Sequence, residues 1–283
     1  MAVREPVVAG TFYPGTPASL RELISRMVDE RARKENVFGA VLPHAGYVYS
    51  GAVAGAAISR IQFKDTFIIM GPNHTGLGKP MSIMTEGTWK TPLGEVPVDS
   101  DMAKRILAAS SYLEDDGEAF AEEHSIEVQL PFLQFLGKDI KFVPIILASY
   151  PDAKVYKEMG DQLARALSES NESYVIIASS DMTHYEPARS AKTKDGHAID
   201  AILVLDPDEL YRRIQEYDIS MCGYAPAMAL LQAANDIGAA GAELVRYATS
   251  GDVTGDNRSV VGYASILIRA RSAIPPTKGE LAQ

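Results

Sequence analysis

Four short apolar runs punctuate the chain: Val37–Leu42, Thr66–Met70, Ile140–Leu147 and Tyr174–Ala178. They are rich in β-branched residues and nearly free of charge. Continuous apolar runs of this length predict strands buried on both faces of a sheet. Between them the pattern changes to a helical period. Pro17–Glu35 places Leu20, Leu23, Ile24 and Met27 on one face, and Asp99–Ser110, Glu122–Leu136, Asp152–Ser168 and Ala191–Leu205 also read as helices. Asp206-Pro207 reads as an N-cap followed by proline at the first helical position, opening a helix to about Tyr217. A further helix is predicted from about Cys222 to Ile237, a hairpin-rich excursion over Met81–Val98, and two late strands at Glu243–Thr249 and Val260–Ile268. Alternating strands and helices predict an α/β fold: a central, mostly parallel or mixed sheet with helices on both faces.

No repeat and no Ser/Gly-rich or Pro-rich linker divides the chain, so residues 1–283 are expected to form a single domain, with a frayed tail after about 270. The stretch Val37–Ser59 carries no charge and is long enough to span a bilayer. Its glycines, Pro43 and His44 favour strand, loop and then helix, so no transmembrane segment is assigned. The opening residues have no apolar signal core, which predicts that the chain is not exported.

Composition adds little until the rare residues are placed. Formal charge is -10, from 27 Lys and Arg against 37 Asp and Glu, which disfavours a nucleic-acid or anionic-membrane surface. The single cysteine, Cys222, permits no intrachain disulfide and suits a reducing cytoplasm.

Only five histidines are present. His44 follows the first predicted strand, His74 the second, and Asp181 and His184 the fourth. In an α/β sheet ligands bind beyond the carboxyl ends of the strands, so parallel strands would bring these side chains to one rim. Cys222 stands at the predicted start of a helix, where a thiolate is stabilised. Its commoner fate is that of a small buried hydrophobe. Two imidazoles and a thiolate make a three-donor site with an open position, which suits zinc, iron(II) or copper. His124 would share a helical face with Glu127 if Glu122–Leu136 is helical, as an acid/base group or as a surface side chain. His197 lies in a polar segment and is expected to be exposed.

Six strings then carry a resemblance in the right order over residues 4–269. They are Ala9-Gly-Thr-Phe-Tyr-Pro14, Pro43-His-Ala-Gly-Tyr-Val-Tyr-Ser-Gly51, Gly71-Pro-Asn-His-Thr75, Glu123-His-Ser-Ile-Glu-Val-Gln-Leu-Pro131, Ser179-Ser-Asp-Met-Thr-His184 and Cys222-Gly223. Together they resemble the Memo family, which belongs to the AmmeMemoRadiSam system and is related in fold to the class III extradiol ring-cleaving dioxygenases. The resemblance implies a metal pocket in which His44, His74 and Cys222 match the metal-binding positions. Asp181 and His184 match pocket residues, with His184 where the related dioxygenases place an acid/base histidine. It also implies iron or copper redox chemistry, a radical-SAM and an AMMECR-type protein as partners in prokaryotes, and phosphopeptide or signalling partners in eukaryotes. The dioxygenases carry a carboxylate where Cys222 stands. A thiolate is softer and can itself oxidise, so ring cleavage does not transfer with the fold.

Three functions follow for testing. The first is a metal-dependent oxidoreductase in which His184, oriented by Asp181, moves a proton with help from His124. The second is a module that binds a peptide or small molecule without turnover, using Tyr47, Tyr49, Asn73 and Tyr185. The third is hydrolysis at a zinc site.

Overall fold

The computed structural model describes residues 3–271, apart from 138, 151 and 171. The expected tail beyond 271 lies outside them. Within the described residues the first half runs β1 (Val3–Arg4), α1 (Pro17–Ser25), β2 (Val37–Leu42), α2 (Tyr47–Ile58), β3 (Thr66–Gly71), β4 (Met81–Ile83), β5 (Thr88–Thr91), β6 (Gly94–Pro97), α3 (Ser100–Ala109), β7 (Glu114–Asp115) and α4 (Leu130–Leu136). The second half runs β8 (Lys141–Leu147), α5 (Lys154–Ser168), β9 (Tyr174–Ser179), β10 (His184–Glu186), α6 (Ala188–Leu203), α7 (Pro207–Glu216), α8 (Tyr224–Ile237), β11 (Gly241–Thr249), α9 (Gly251–Thr254) and β12 (Val260–Arg269).

The four apolar runs are the four central strands. They lie side by side in the order β2-β9-β3-β8, all parallel. Every residue of β2 and β3 is buried, which is why these runs show no alternation. The late pair β11 and β12 is antiparallel, and β12 also pairs antiparallel with β2. Short β4 closes the other side against β8, so the sheet is mixed at both margins. The Met81–Val98 excursion contains the expected hairpin, β5 with β6, which forms a separate small sheet with β1.

Helices cover both faces. On β11, Glu243 and Arg246 bond Arg60 and the Ala52 carbonyl on or just past α2, whereas neighbouring Tyr247 reaches Asp195 on α6. Asp206 caps α7 through the amide of Glu209, as expected, and Asp99 caps α3 through the amide of Met102. Among the described residues no helix is long and apolar enough to cross a membrane.

Two helical expectations shorten. The first helix stops at Ser25 rather than Glu35. The amides of Met27 and Val28 fold back onto Ile24, and the Asp29 amide is taken by Ser59 Oγ. Glu122–Leu136 is helical only from Leu130, after a single 3-10 turn at Glu127–Gln129. The reason lies in its carboxylates. Glu123 and Glu127 are fully buried, and each binds donors from distant segments instead of supporting a local helix face. His124 and Glu127 thus lie ahead of the α-helix, and the α-helical face expected to hold both is not formed. His197 is not exposed either: it lies half-buried on α6, stacked on Tyr217 with ring centroids 3.9 Å apart.

Candidate metal centre

Because β2, β9 and β3 are adjacent and parallel, the loops after them open on one rim. His44 lies two residues past β2, Asp181 two past β9, and His74 three past β3. Cys222 reaches the same place from the turn between α7 and α8. Residue 223 must be glycine for that approach, since a Cβ there would meet the Ser179 carbonyl oxygen at 2.3 Å. The donor atoms of His44, His74 and Cys222 all lie within 4.8 Å of one another, and His44 Nε2 is 3.3 Å from Cys222 Sγ. Nitrogen and sulfur donors on one tetrahedral ion stand about 3.5 Å apart.

Hydrogen bonds preset both rings. His74 Nδ1 lies 2.9 Å from Glu123 Oε1, so Nδ1 carries the proton and donates it. His44 Nδ1 lies 3.0 Å from Ser179 Oγ. That hydroxyl donates to the Ser125 carbonyl and accepts from Gln129 Nε2, whose identity is set by its second bond to the Pro43 carbonyl. Ser179 therefore accepts from His44 Nδ1–H. Each imidazole is left with its Nε2 lone pair free, the form a metal ligand requires. The donor set thus fits a thiophilic ion such as iron(II), copper or zinc.

The fully buried His44 is held well below its ordinary proton affinity, by burial first and then by His74, His124 and His184. Burial pushes the Cys222 thiol well up, and nearby Asp181 adds to this, while an Asp181 amide bond of 3.3 Å to Sγ acts the other way. The expected helix effect does not win, because α8 begins at Tyr224 and the sulfur sits outside its first turn. A thiolate in this place calls for a neighbouring cation. A second cluster, His74, Glu123 and His124, lies alongside. Burial would raise Glu123, but bonds from His74 Nδ1–H, the His74 amide and the Ser125 amide hold it at about 2. A carboxylate already serving three donors is an orienting group for His74.

His124 stacks on His74 with centroids 4.6 Å apart and is covered by Phe12 at 4.8 Å. The expected Asp181–His184 pair is not made. Asp181 accepts from the His44 amide at 2.8 Å, and the Ala45 amide also bonds to it. His184 Nδ1 instead donates to the Ser220 carbonyl at 2.9 Å. Asp181 therefore shapes the His44 loop, and the Ser220 carbonyl is the partner of the His184 Nδ1–H. Tyr47 is also not a pocket residue: it is buried, stacked on Phe132, and bonded to the Val128 carbonyl. The Asn73 side chain is spent on its own loop, at Leu77 and Gly76. Tyr49 and Tyr185 are exposed, Tyr185 with φ of 61°. Glu123, Ser125, Ser179 and Gln129 carry no role in the sequence alone, although three of them stand within Glu123–Pro131; a polar residue without a visible partner carries no signal of what it orients.

Asp181 offers a test in solution. Burial pushes its carboxyl up from 3.8 to about 6, against the bonds from the His44 and Ala45 amides. The native chain therefore holds a proton that the unfolded chain releases, and this contribution to stability is lost as pH rises from 3.8 to about 6. Asp181→Asn removes the term. In urea unfolding of metal-free protein, wild type should lose stability relative to Asp181→Asn across that window. Parallel curves would show that Asp181 titrates normally.

An α/β protein with two preset imidazoles and one thiol converging on the carboxyl rim of its sheet is the class that fold and site define. The profile of Memo-like proteins matches residues 4–267. A MEMO1 family protein of Methanococcoides burtonii is 48% identical over 94% of this chain and 100% of its own length. One of Methanosarcina acetivorans is 46% identical over 95% and 100%, and that of Methanocaldococcus jannaschii 41% over 94% and 99%. The chain belongs to the Memo family. Among solved structures, an uncharacterized protein, JW3007, from Escherichia coli K12 superposes with a TM-score of 0.52 at 14% identity, covering 74% of this chain and 87% of that one; the likeness is one of fold.

Proposed function

We propose that the chain is a metal-dependent oxidoreductase in which His44, His74 and Cys222 hold iron(II) or copper. The observation that carries this reading is the convergence of two Nε2 lone pairs and one sulfur, each imidazole locked by a bond to its other nitrogen. A bound ion of this kind supplies electron transfer and polarises a small ligand at its open position. The protein does the rest. Glu123 and the Ser179–Gln129 pair fix the ring orientations. Phe12 shields the His124 ring. His184 gives its Nδ1–H to Ser220, so in the neutral ring Nε2 is an acceptor able to take a proton from the ligand.

Anaerobic titration of metal-stripped protein with iron(II) and with copper tests the centre. One equivalent should bind and produce thiolate charge-transfer absorption. Binding with no such band, or no stoichiometric binding, overturns the site. Reversible loss of the band with reductant and oxygen checks the redox half; a band that neither agent alters removes it.

A further inference from the structure

The segment that carries Asp181 and His184 is held by three consecutive amides, each with a different partner. Met182 N–H donates to the Gly262 carbonyl at 2.9 Å, Thr183 N–H to Asp195 Oδ1 at 2.8 Å, and His184 N–H to Ser220 Oγ at 2.8 Å. Two of these partners are ordinary neighbours, a strand and a turn. The third is a fully buried carboxylate presented from the middle of α6.

Asp195 has no part in the metal centre, yet its burial is costly and must be compensated. Its second oxygen accepts from the Tyr247 hydroxyl at 2.7 Å. That oxygen also lies against β12 so closely that a Cβ on Gly262 would stand 1.9 Å from it. One side chain thus ties α6, β11 and β12 to the turn immediately before His184. The Gly262 amide answers with a bond to the Thr183 carbonyl at 2.9 Å, so Thr183 is gripped at both its N–H and its C=O. Ser220 alone cannot set the His184 ring. Its carbonyl lies 2.9 Å from Nδ1 only while the backbone at 183 and 184 stays where these bonds put it.

We infer that Asp195 is a positioning residue for His184: through the Thr183 amide it holds the imidazole in the single tautomer that leaves Nε2 as the acceptor. The inference rests on the reading of His184 as a proton-moving group. Asparagine can do the same work, with its oxygen on Thr183 N–H and its NH2 on the Tyr247 oxygen. Alanine cannot.

The test is nitrogen NMR of the histidine rings in metal-free protein. Wild type should show His184 as one Nδ1–H tautomer. Asp195→Ala should convert it to a mixture of both tautomers, and Asp195→Asn should restore the single form. His197 serves as the internal control, since it sits two residues along α6 on Tyr217 and reports any general loosening of that helix. If Asp195→Ala does not fold, Asp195→Ser replaces it, because a serine hydroxyl satisfies itself on its own helix but cannot reach Thr183. A His184 ring that stays in one tautomer in these variants overturns the inference, as does one that changes only together with His197. Metal titration of the same samples is read separately. A wild type that binds no metal defeats the proposed centre and leaves the tautomer comparison standing.

Discussion

Cys222→Ala should abolish stoichiometric binding of iron(II) or copper, and His44→Ala and His74→Ala should each do the same. Among the described residues three donors, from His44, His74 and Cys222, converge on the proposed ion position, and two imidazoles alone do not discriminate it from water-exposed histidine pairs. A graded variant separates ligand from orienting group. Glu123→Gln keeps the shape but replaces one acceptor oxygen by a donor, facing three N–H groups that need acceptors. Loss of such a partner costs about 10–100-fold in metal affinity. Calorimetric titration of each variant, with elemental analysis, gives the order: none for the three ligand deletions, weakened for Glu123→Gln, full for wild type. Wild-type affinity in Cys222→Ala would falsify the thiol as a ligand.

The second large effect is on stability. Glu127 is wholly buried and accepts from Arg4 Nη1 at 2.5 Å, Tyr13 Oη at 2.5 Å, and the Val7 and Val8 amides at 2.9 and 3.1 Å. Arg4 is buried as well; it lies over the Trp89 ring at 4.0 Å and donates to the carbonyls of Phe120 and Glu123. Glu127→Ala leaves that guanidinium without its counter-charge, a loss of about 3–5 kcal/mol for a buried pair. Replacing Arg4 and Glu127 together by apolar residues should recover much of it, since no lone charge remains. The exposed pair Arg26–Glu22 is the control, and breaking it should cost less than about 1 kcal/mol. Denaturant unfolding of all three checks the set. Equal losses for the buried and the exposed pair would show that the Arg4 network is not holding the N-terminal segment.

What could be read from sequence divides along physical lines. The central strands were legible because a strand covered on both faces must be apolar throughout, as Thr66–Met70 and Tyr174–Ala178 are. The rim position of His44 and His74 followed from chain direction alone. The region around His124 was not legible. A spacing of three between His124 and Glu127 is the same whether the segment is helical or looped, and the outcome turned on Arg4, Tyr13 and His74 arriving from elsewhere to claim the two carboxylates. The Asp181–His184 pairing failed for a related reason. Nearness in sequence suggested a dyad, but the turn sends Asp181 to the His44 amide and His184 to Ser220. Tautomer control by Ser179 and Gln129 was invisible because hydroxyl and amide side chains announce nothing until their partners are in place.

The position of β12 sets an order of events in biosynthesis. A ribosome releases His44 and His74 early, but Cys222 and the strand Val260–Arg269 come late. Until that strand pairs, β2 has no neighbour on the side opposite β9, and the loop bearing His44 hangs from a sheet margin. Domains finish folding only when their long-range partners exist. At the proposed centre an ion meeting the nascent chain would find imidazoles without sulfur and without the β12 contacts that grip the His184 turn. Loading of the proposed centre should therefore follow release of nearly the whole chain, and a product that ends before the last strand should bind the ion more weakly than the complete chain.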